Sequence, residues 1–311
     1  MRFSSVLVTG GAGFIGSRLV RELLGRGCSV VVLDNFVSGR VENLGGVVGD
    51  AGFRLVRGDV RDREVVGEAL RGVEAVVHLA GLVDVVGSVE RPLESFDVNV
   101  GGSLCVLDEA VKRGVGRFVF ASSAAVYGDG SVLPLREDAL PRPASPYAAS
   151  KVCVEGYCRV FGECYGLGAV VLRYFNVYGS GMGDGFYGGV VSRFLRGGLR
   201  GEVLTVFGDG LQSRDFVFVG DVVGATVRAL ECGGVEGGVF NVCTGVPVSV
   251  NDLVGVVGGV VGRELRVVRA EARRGEVRHS YGDPGLAGER LGFRAETGLR
   301  DGLERVVKDL V

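Results

Sequence analysis

The chain of 311 residues has two histidines and three lysines, and each scarcity removes a class of function. With only His78 and His279 available, a histidine-based metal centre is not expected. Cysteines at 28, 105, 153, 158, 164, 232 and 243 form no CxxC pair, and their number is odd. This argues against zinc or a disulfide framework and for a reducing compartment. Lys112, Lys151 and Lys308 are the only lysines, no basic run occurs, and the formal net charge is −2. No nucleic-acid partner is expected. No apolar run approaches the ~18 residues of a membrane helix, so no membrane association is expected either. The N-terminus enters a strand-like run directly, leaving no room for a signal peptide, and the expected location is cytoplasmic. Neither an internal repeat nor a disordered linker is visible.

Glycine and valine, by contrast, are abundant: 55 residues are Gly, and 47% of the chain is hydrophobic, ample for a core. The β-branched run Ser4–Val8 reads as a buried strand. The turn Thr9-Gly10-Gly11-Ala12-Gly13-Phe14-Ile15-Gly16-Ser17 follows, and an amphipathic helix opens from it. Gly10 suits a tight turn, Gly13 admits backbone N–H groups to a pyrophosphate, and Gly16 permits close helix–strand packing. The free N–H groups of the helix start favour anionic phosphates. A second strand, Ser29–Leu33, ends at Asp34-Asn35, about 20 residues on, where a carboxylate reads the ribose hydroxyls of a dinucleotide. An Asp there repels a 2′-phosphate and favours NAD over NADP, although Arg40 follows closely.

Further apolar runs, Phe53–Arg57, Glu74–His78, Arg117–Ala121 and Ala169–Tyr174, read as four more strands of a doubly wound parallel sheet. In such sheets ligands bind at the carboxyl ends of the strands. Those ends carry Gly58-Asp59-Val60, Leu79-Ala80-Gly81 and Ser122-Ser123. His78, at the end of an apolar strand, reads as a packed structural histidine. A long helix is expected from Pro92 to Arg113, with Asn99 in its first half. A second helix begins at Pro146 and places Tyr147 and Lys151 at i and i+4 on one face. An ammonium beside a phenol stabilises the phenolate and fits it for proton transfer near neutrality. Past residue 174 the regular alternation fails. The fold class is therefore α/β: an NAD-binding Rossmann sheet over 1–173, completed by about 215–242, with a smaller C-terminal substrate lobe from 174–214 and 243–311.

These motifs, with Arg173–Gly179, Gly208-Asp209-Gly210, Arg214-Asp215-Phe216 and Arg273–Tyr281, span the whole chain. Together they resemble the extended short-chain dehydrogenases/reductases, and most closely the UDP-glucose (UDP-galactose) 4-epimerases. The resemblance implies that Tyr147 is the acid/base, that Lys151 holds the nicotinamide ribose, and that Ser123 bridges the sugar 4-hydroxyl to Tyr147. It implies NAD contacts from Gly10, Gly13, Phe14, Ile15, Gly16, Asp34, Asn35, Ser38, Gly39, Asp59 and Val60. Leu79, Ala80, Gly81, Asn99, Ser122, Tyr147, Lys151 and Tyr174 complete that set. Asn176, Arg214 and Arg273 would bind the nucleotide diphosphate, two arginines being fork-shaped partners for its oxygens. The implied reaction is redox-neutral epimerisation of a UDP-hexose through a 4-keto intermediate, with retained NAD. A homodimer through the 92–113 and 147–165 helices is likewise implied.

Three positions depart from the pattern. Leu82-Val83-Asp84 stands where several epimerases have a lysine. Arg274 stands where Pro is common, which leaves open whether Arg273 or Arg274 meets the diphosphate. Ser280 is small where an aromatic narrows some sugar pockets, so N-acetylhexosamines would fit. A 4,6-dehydratase would need an acid and a base after Ser123, and Ala124-Ala125 cannot transfer protons. A uronate epimerase or decarboxylase, and a non-catalytic NAD-sensing protein, stand as alternatives.

Overall fold

The computed structural model describes residues 2–129, 132–182, 189–272 and 277–310. Continuous apolar runs that must be covered on both faces generate the central layer. Its strands are β1 (Ser5–Thr9), β2 (Ser29–Asp34), β3 (Phe53–Arg57), β4 (Ala75–His78), β5 (Arg117–Ser123) and β6 (Gly168–Tyr174). They stand in the order β3-β2-β1-β4-β5-β6, all parallel. Strand order therefore reverses between β1 and β4, which opens a crevice at the carboxyl ends on either side of β1. Along β1, Val6 and Val8 enter the core on one face and Leu7 the core on the other, all fully buried.

The intervening helices are α1 (Phe14–Gly25), α2 (Arg63–Ala69), α3 (Val85–Glu90), α4 (Pro92–Phe96), α5 (Ser103–Lys112) and α6 (Pro146–Tyr165). Ser145 caps α6, accepting the Ala148 N–H at 3.1 Å, and Pro146 occupies its first turn. The expected 92–113 helix is interrupted. Residues Asp97–Gly102 form a π turn between α4 and α5, and Asn99 lies inside it. One extra residue in the turn re-aims a side chain without ending the helix.

After β6 come β7 (Asn176–Tyr178), α7 (Gly189–Arg200), β8 (Leu204–Phe207) and β9 (Ser213–Phe218). Helix α8 (Val219–Glu231) then packs beside α1, and β10 (Val239–Val242) adds to β6 as the seventh strand of the main sheet. The tail supplies β11 (Pro247–Ser249), α9 (Val250–Val261), β12 (Val267–Ala270), β13 (His279–Ser280), α10 (Gly285–Leu291) and α11 (Leu299–Leu310). Strand β9 lies wholly in a small sheet with β7, β11 and β13, so the return to the main sheet begins at α8. A separate core under α7, α9 and α11, including Phe194, Leu253 and Leu303, supports this part of the chain.

Candidate active site

A cleft of about 1250 Å³ runs across the carboxyl ends of β1 to β6 and on to β9 and β13. Its floor is the glycine turn. Gly10 adopts φ +68°, and a Cβ there would meet the Ala80 amide nitrogen at 2.9 Å. A Cβ on Gly16 would collide with the Gly10 carbonyl, so α1 can start against the turn only without a side chain. Gly13, Phe14 and Ile15 line the same floor.

At the β2 end, Asp34 is buried and its carboxylate accepts from the Ala12 N–H at 2.9 Å and the Phe36 N–H at 2.8 Å. Asn35, Ser38 and Gly39 line the cleft beside it, with Arg40 and Asn43. Asp59 is gripped by the Arg61 guanidinium through two 2.8 Å bonds and accepts from Asn35 at 3.0 Å. The Arg61 fork holds its carboxyl well below the usual carboxylate range. Val60 completes this end.

Leu79, Ala80 and Gly81 pass between the two ends, and behind them stands a buried hydrogen-bond relay. The Ala80 N–H donates to Thr9 Oγ1 at 3.2 Å, and Thr9 Oγ1 meets His78 Nδ1 at 2.7 Å. His78 Nε2 meets Ser103 Oγ at 2.9 Å, and Ser103 donates to the Asn99 carbonyl. Since Ser103 spends its proton on Asn99, Nε2 is the donor and Nδ1 the acceptor of a neutral ring. Burial, with Lys151 nearby, pushes the His78 pKa down to about 3. His78 is thus structural, as its place on an apolar strand suggests. Asn99 does not line the cleft. It stands one layer back, accepting the Leu82 N–H at 2.7 Å and donating to the Leu82 carbonyl at 2.9 Å and to Ser150 at 3.1 Å.

The third region joins β5 to α6. Ser123, Tyr147 and Lys151 line the cleft together, with Ala124, Ala125, Val83 and Val85 around them. Ser123 Oγ accepts the Ala125 N–H at 3.1 Å. Tyr147 is buried, which raises its pKa, while the Ser123 hydroxyl pulls it back. Burial lowers the Lys151 pKa to about 8, against the raising effect of Glu155. Its ammonium donates to the Ala121 carbonyl at 2.8 Å and lies 5.8 Å from the Tyr147 ring centre. Ser122 also borders the cleft, but its hydroxyl donates to Glu155, away from Tyr147.

Across the opening, Tyr174, Phe175, Asn176, Arg214 and Ser280 line the wall. The Tyr174 hydroxyl is engaged by Thr226 at 2.7 Å. Asn176 donates to the Asp215 carbonyl at 3.2 Å and Arg214 to the Ser213 carbonyl at 2.9 Å. Buried Asp215, accepting from Thr244 and Gly245, fixes the β9 backbone beneath both. Arg273 and Arg274 lie outside the described residues. Arg196 of α7 is a further lining cation that no motif points to.

Three features together suit a dinucleotide: a floor without side chains at a helix start, a carboxylate at the end of β2, and an ammonium at the opposite end. Comparison with known proteins agrees. The family model described as the NAD dependent epimerase/dehydratase family matches residues 6–243. A UDP-glucose 4-epimerase of Mycolicibacterium smegmatis is 39% identical over 306 residues, covering 97% of each chain. The solved UDP-glucose 4-epimerase of Thermotoga maritima with UDP-glucose superposes with a TM-score of 0.93 at 38% identity, covering 98% of each chain. A UDP-N-acetylglucosamine 4-epimerase from Methanobrevibacter ruminantium, solved with UDP-N-acetylmuramic acid, gives a TM-score of 0.93 at 33% identity, covering 99% of this chain and 100% of that one. On the matched region and these whole-length relatives, the chain belongs to the NAD dependent epimerase/dehydratase family.

Proposed function

We propose that the cleft catalyses NAD-dependent 4-epimerisation of a UDP-hexose, interconverting UDP-galactose and UDP-glucose. One observation carries the reading: Tyr147, Ser123 and Lys151 share a wall with small apolar residues, Ala124 and Ala125, where a dehydratase would need further proton-transfer groups. The Thermotoga maritima relative, solved with UDP-glucose, supports the substrate class.

Gly10 to Gly16, Asp34 and Lys151 would hold NAD, which when bound supplies a hydride acceptor and donor. Tyr147 takes the proton of the sugar 4-hydroxyl and returns it to the 4-keto intermediate, and Ser123 bridges the same oxygen. Lys151 keeps a positive charge near the phenolate, shifting the proton balance against the burial that favours the phenol. Arg214, Asn176 and Arg273 anchor the diphosphate, so the sugar can turn over within the site while its nucleotide stays fixed. The apolar surround at Ala124, Ala125, Val83 and Val85 gives the sugar few hydrogen bonds to break as it turns.

Ser280 in the lining favours a second substrate range, UDP-N-acetylhexosamines, because a small side chain leaves room for the acetamido group. The division of labour is an NAD-binding domain over 1–173, completed by α8 and β10, and a nucleotide-sugar lobe from the segment between β6 and α8 together with 243–311. We assign the protein to the cytoplasm. Exposed apolar residues on α3, α4 and α6 (Val89, Leu93, Phe96, Tyr157, Val160 and Tyr165) fit a two-fold homodimer through paired helices.

The test is incubation of the purified protein, without added cofactor, with UDP-galactose and separately with UDP-glucose. Approach to one equilibrium mixture from both sides is expected. Inertness toward both, with NAD supplied, would overturn the substrate.

A further inference from the structure

Beneath Tyr147 and Lys151 lies a second buried charge group. Glu155 follows Lys151 by one turn on the same face of α6. Its side chain is 9% exposed and that of Arg173, on β6, is 5% exposed. Arg173 grips Glu155 as a fork, Nε to one carboxylate oxygen at 3.0 Å and Nη2 to the other at 2.7 Å. The Ser122 hydroxyl donates to the first oxygen as well. Lys151 takes no part in this pairing; it donates to the Ala121 carbonyl and lies 4.8 Å over the Phe120 ring.

The charge count is therefore uneven. Lys151 and Arg173 are two buried cations, and Glu155 is the one carboxylate placed between them. The groups that face them from other elements do not change the balance at Lys151. On β4, His78 is held neutral by burial. The Cys158 thiol, on α6, and the Tyr127 hydroxyl, under the Arg173 guanidinium, are kept protonated by burial. Glu137, from the 134–146 loop, takes an Arg173 N–H on its carbonyl and bears on Arg173, whereas Lys151 responds to Glu155. One positive charge is left facing the cleft, and a Tyr147 phenolate is what would balance it.

We propose that Arg173 is a positioning residue: by occupying both oxygens of Glu155 it keeps that carboxylate from pairing with Lys151, and so leaves Lys151 an uncompensated cation toward Tyr147. This rests on Tyr147 being the group that exchanges the proton. It also accounts for a carboxylate placed one turn from the ammonium yet not bonded to it. A fork on a carboxylate is a stronger claim than a single ammonium bond.

The two ends of the pair have opposite signs, and the test uses this. In Arg173→Met the freed Glu155 pairs with Lys151, and the phenolate loses its support. The Tyr147 ionisation midpoint then rises, on the order of one pH unit. In Glu155→Gln the negative charge is gone and two cations remain, so the midpoint falls by a similar amount. Glu155→Gln/Arg173→Met removes one charge of each sign, leaves Lys151 as the one buried cation facing Tyr147 as before, and returns the midpoint to that of the unmodified protein.

The readout is a near-ultraviolet pH titration of the NAD-loaded protein, each variant minus its own Tyr147→Phe counterpart, which isolates the one phenolate. Opposite shifts that cancel in the double variant support the proposal. Midpoints that do not move, that move the same way, or that fail to return in the double variant overturn it. Should one single variant not fold, the other single and the double still decide. Turnover of UDP-hexose by the unmodified protein is read separately, so a wrong substrate is told apart from a wrong charge arrangement.

Discussion

At the β2–β3 end of the cleft, the ionisable groups are satisfied locally. Asp34 takes two backbone N–H groups, and Asp59 is paired to Arg61 at a site that water reaches. At the β5–α6 end, Tyr147, Lys151 and Arg173 are buried and the Glu155 side chain is only 9% exposed, and burial works against the charged forms of the tyrosine and the lysine. The first end is built to hold charge still, and in the function proposed above the second lets charge move by one proton. Dryness separates the Tyr147–Lys151 pair from the Asp59–Arg61 pair, because a charge placed in a low-dielectric site acts much more strongly than the same charge near water.

The sharpest way to break this contrast is to remove the moving proton. Tyr147→Phe is expected to lower kcat by about 10²–10⁴-fold, the usual worth of a positioned acid/base, while NAD content is unchanged. A variant that loses NAD together with activity would mean that the two ends are not separable. Next comes Asp34→Ala, which removes the carboxylate that orders Ala12 and Phe36. NAD affinity should fall about 10–100-fold, from loss of charge-assisted hydrogen bonds worth roughly 1.5–3 kcal/mol, with kcat at saturating NAD nearly preserved. Equilibrium dialysis against NAD and initial rates at saturation check the two halves of that statement.

His78 tests dryness through stability. Its pKa in the folded protein is about 3, below an ordinary value of 6.5, so between these values the unfolded chain binds the extra proton. Stability from this group is complete above the ordinary value and is lost as the pH falls toward 3, by about 1.4 kcal/mol per pH unit inside the window. His78→Gln, which cannot take up a proton, should flatten that limb. Urea unfolding midpoints at neutral and acid pH measure it, and an unchanged acid slope would place the loss on other groups.

The parts of this arrangement that were legible in the sequence are local ones. The glycine turn, Asp34 at a strand end and Tyr147 with Lys151 one turn apart are each written within a few residues, and the structure brings them into one cleft. Strand alternation separates Ser122 from Ser123, yet nothing local says which faces the cleft; the partner of Ser122 is Glu155, on the next helix. The π turn at Asp97–Gly102 escapes a helical reading because one added residue barely disturbs the apolar period, although it decides where Asn99 points. Strand β9 carries an apolar end, Phe216-Val217-Phe218, that would suit either sheet, and only its pairing with β7, β11 and β13 assigns it. The Arg173–Glu155 fork spans 18 residues and two elements. No period connects them.

The smallest expected effect lies where water is present. Asp59 is held charged mainly by the Arg61 fork, and Arg61 is largely exposed, so the pair is screened by salt. In Arg61→Ala the carboxylate keeps the Asn35 amide and the Arg61 backbone position as donors, and it can recruit water for the rest. Stability should change by less than about 1 kcal/mol, the usual worth of an exposed pair. Any weakening of NAD binding should fade as salt is raised. Thermal melts and NAD titrations at low and high ionic strength check this. A large, salt-independent loss would mean that Arg61 is desolvated when NAD is bound, and that the β2–β3 end closes as tightly as the end it is contrasted with.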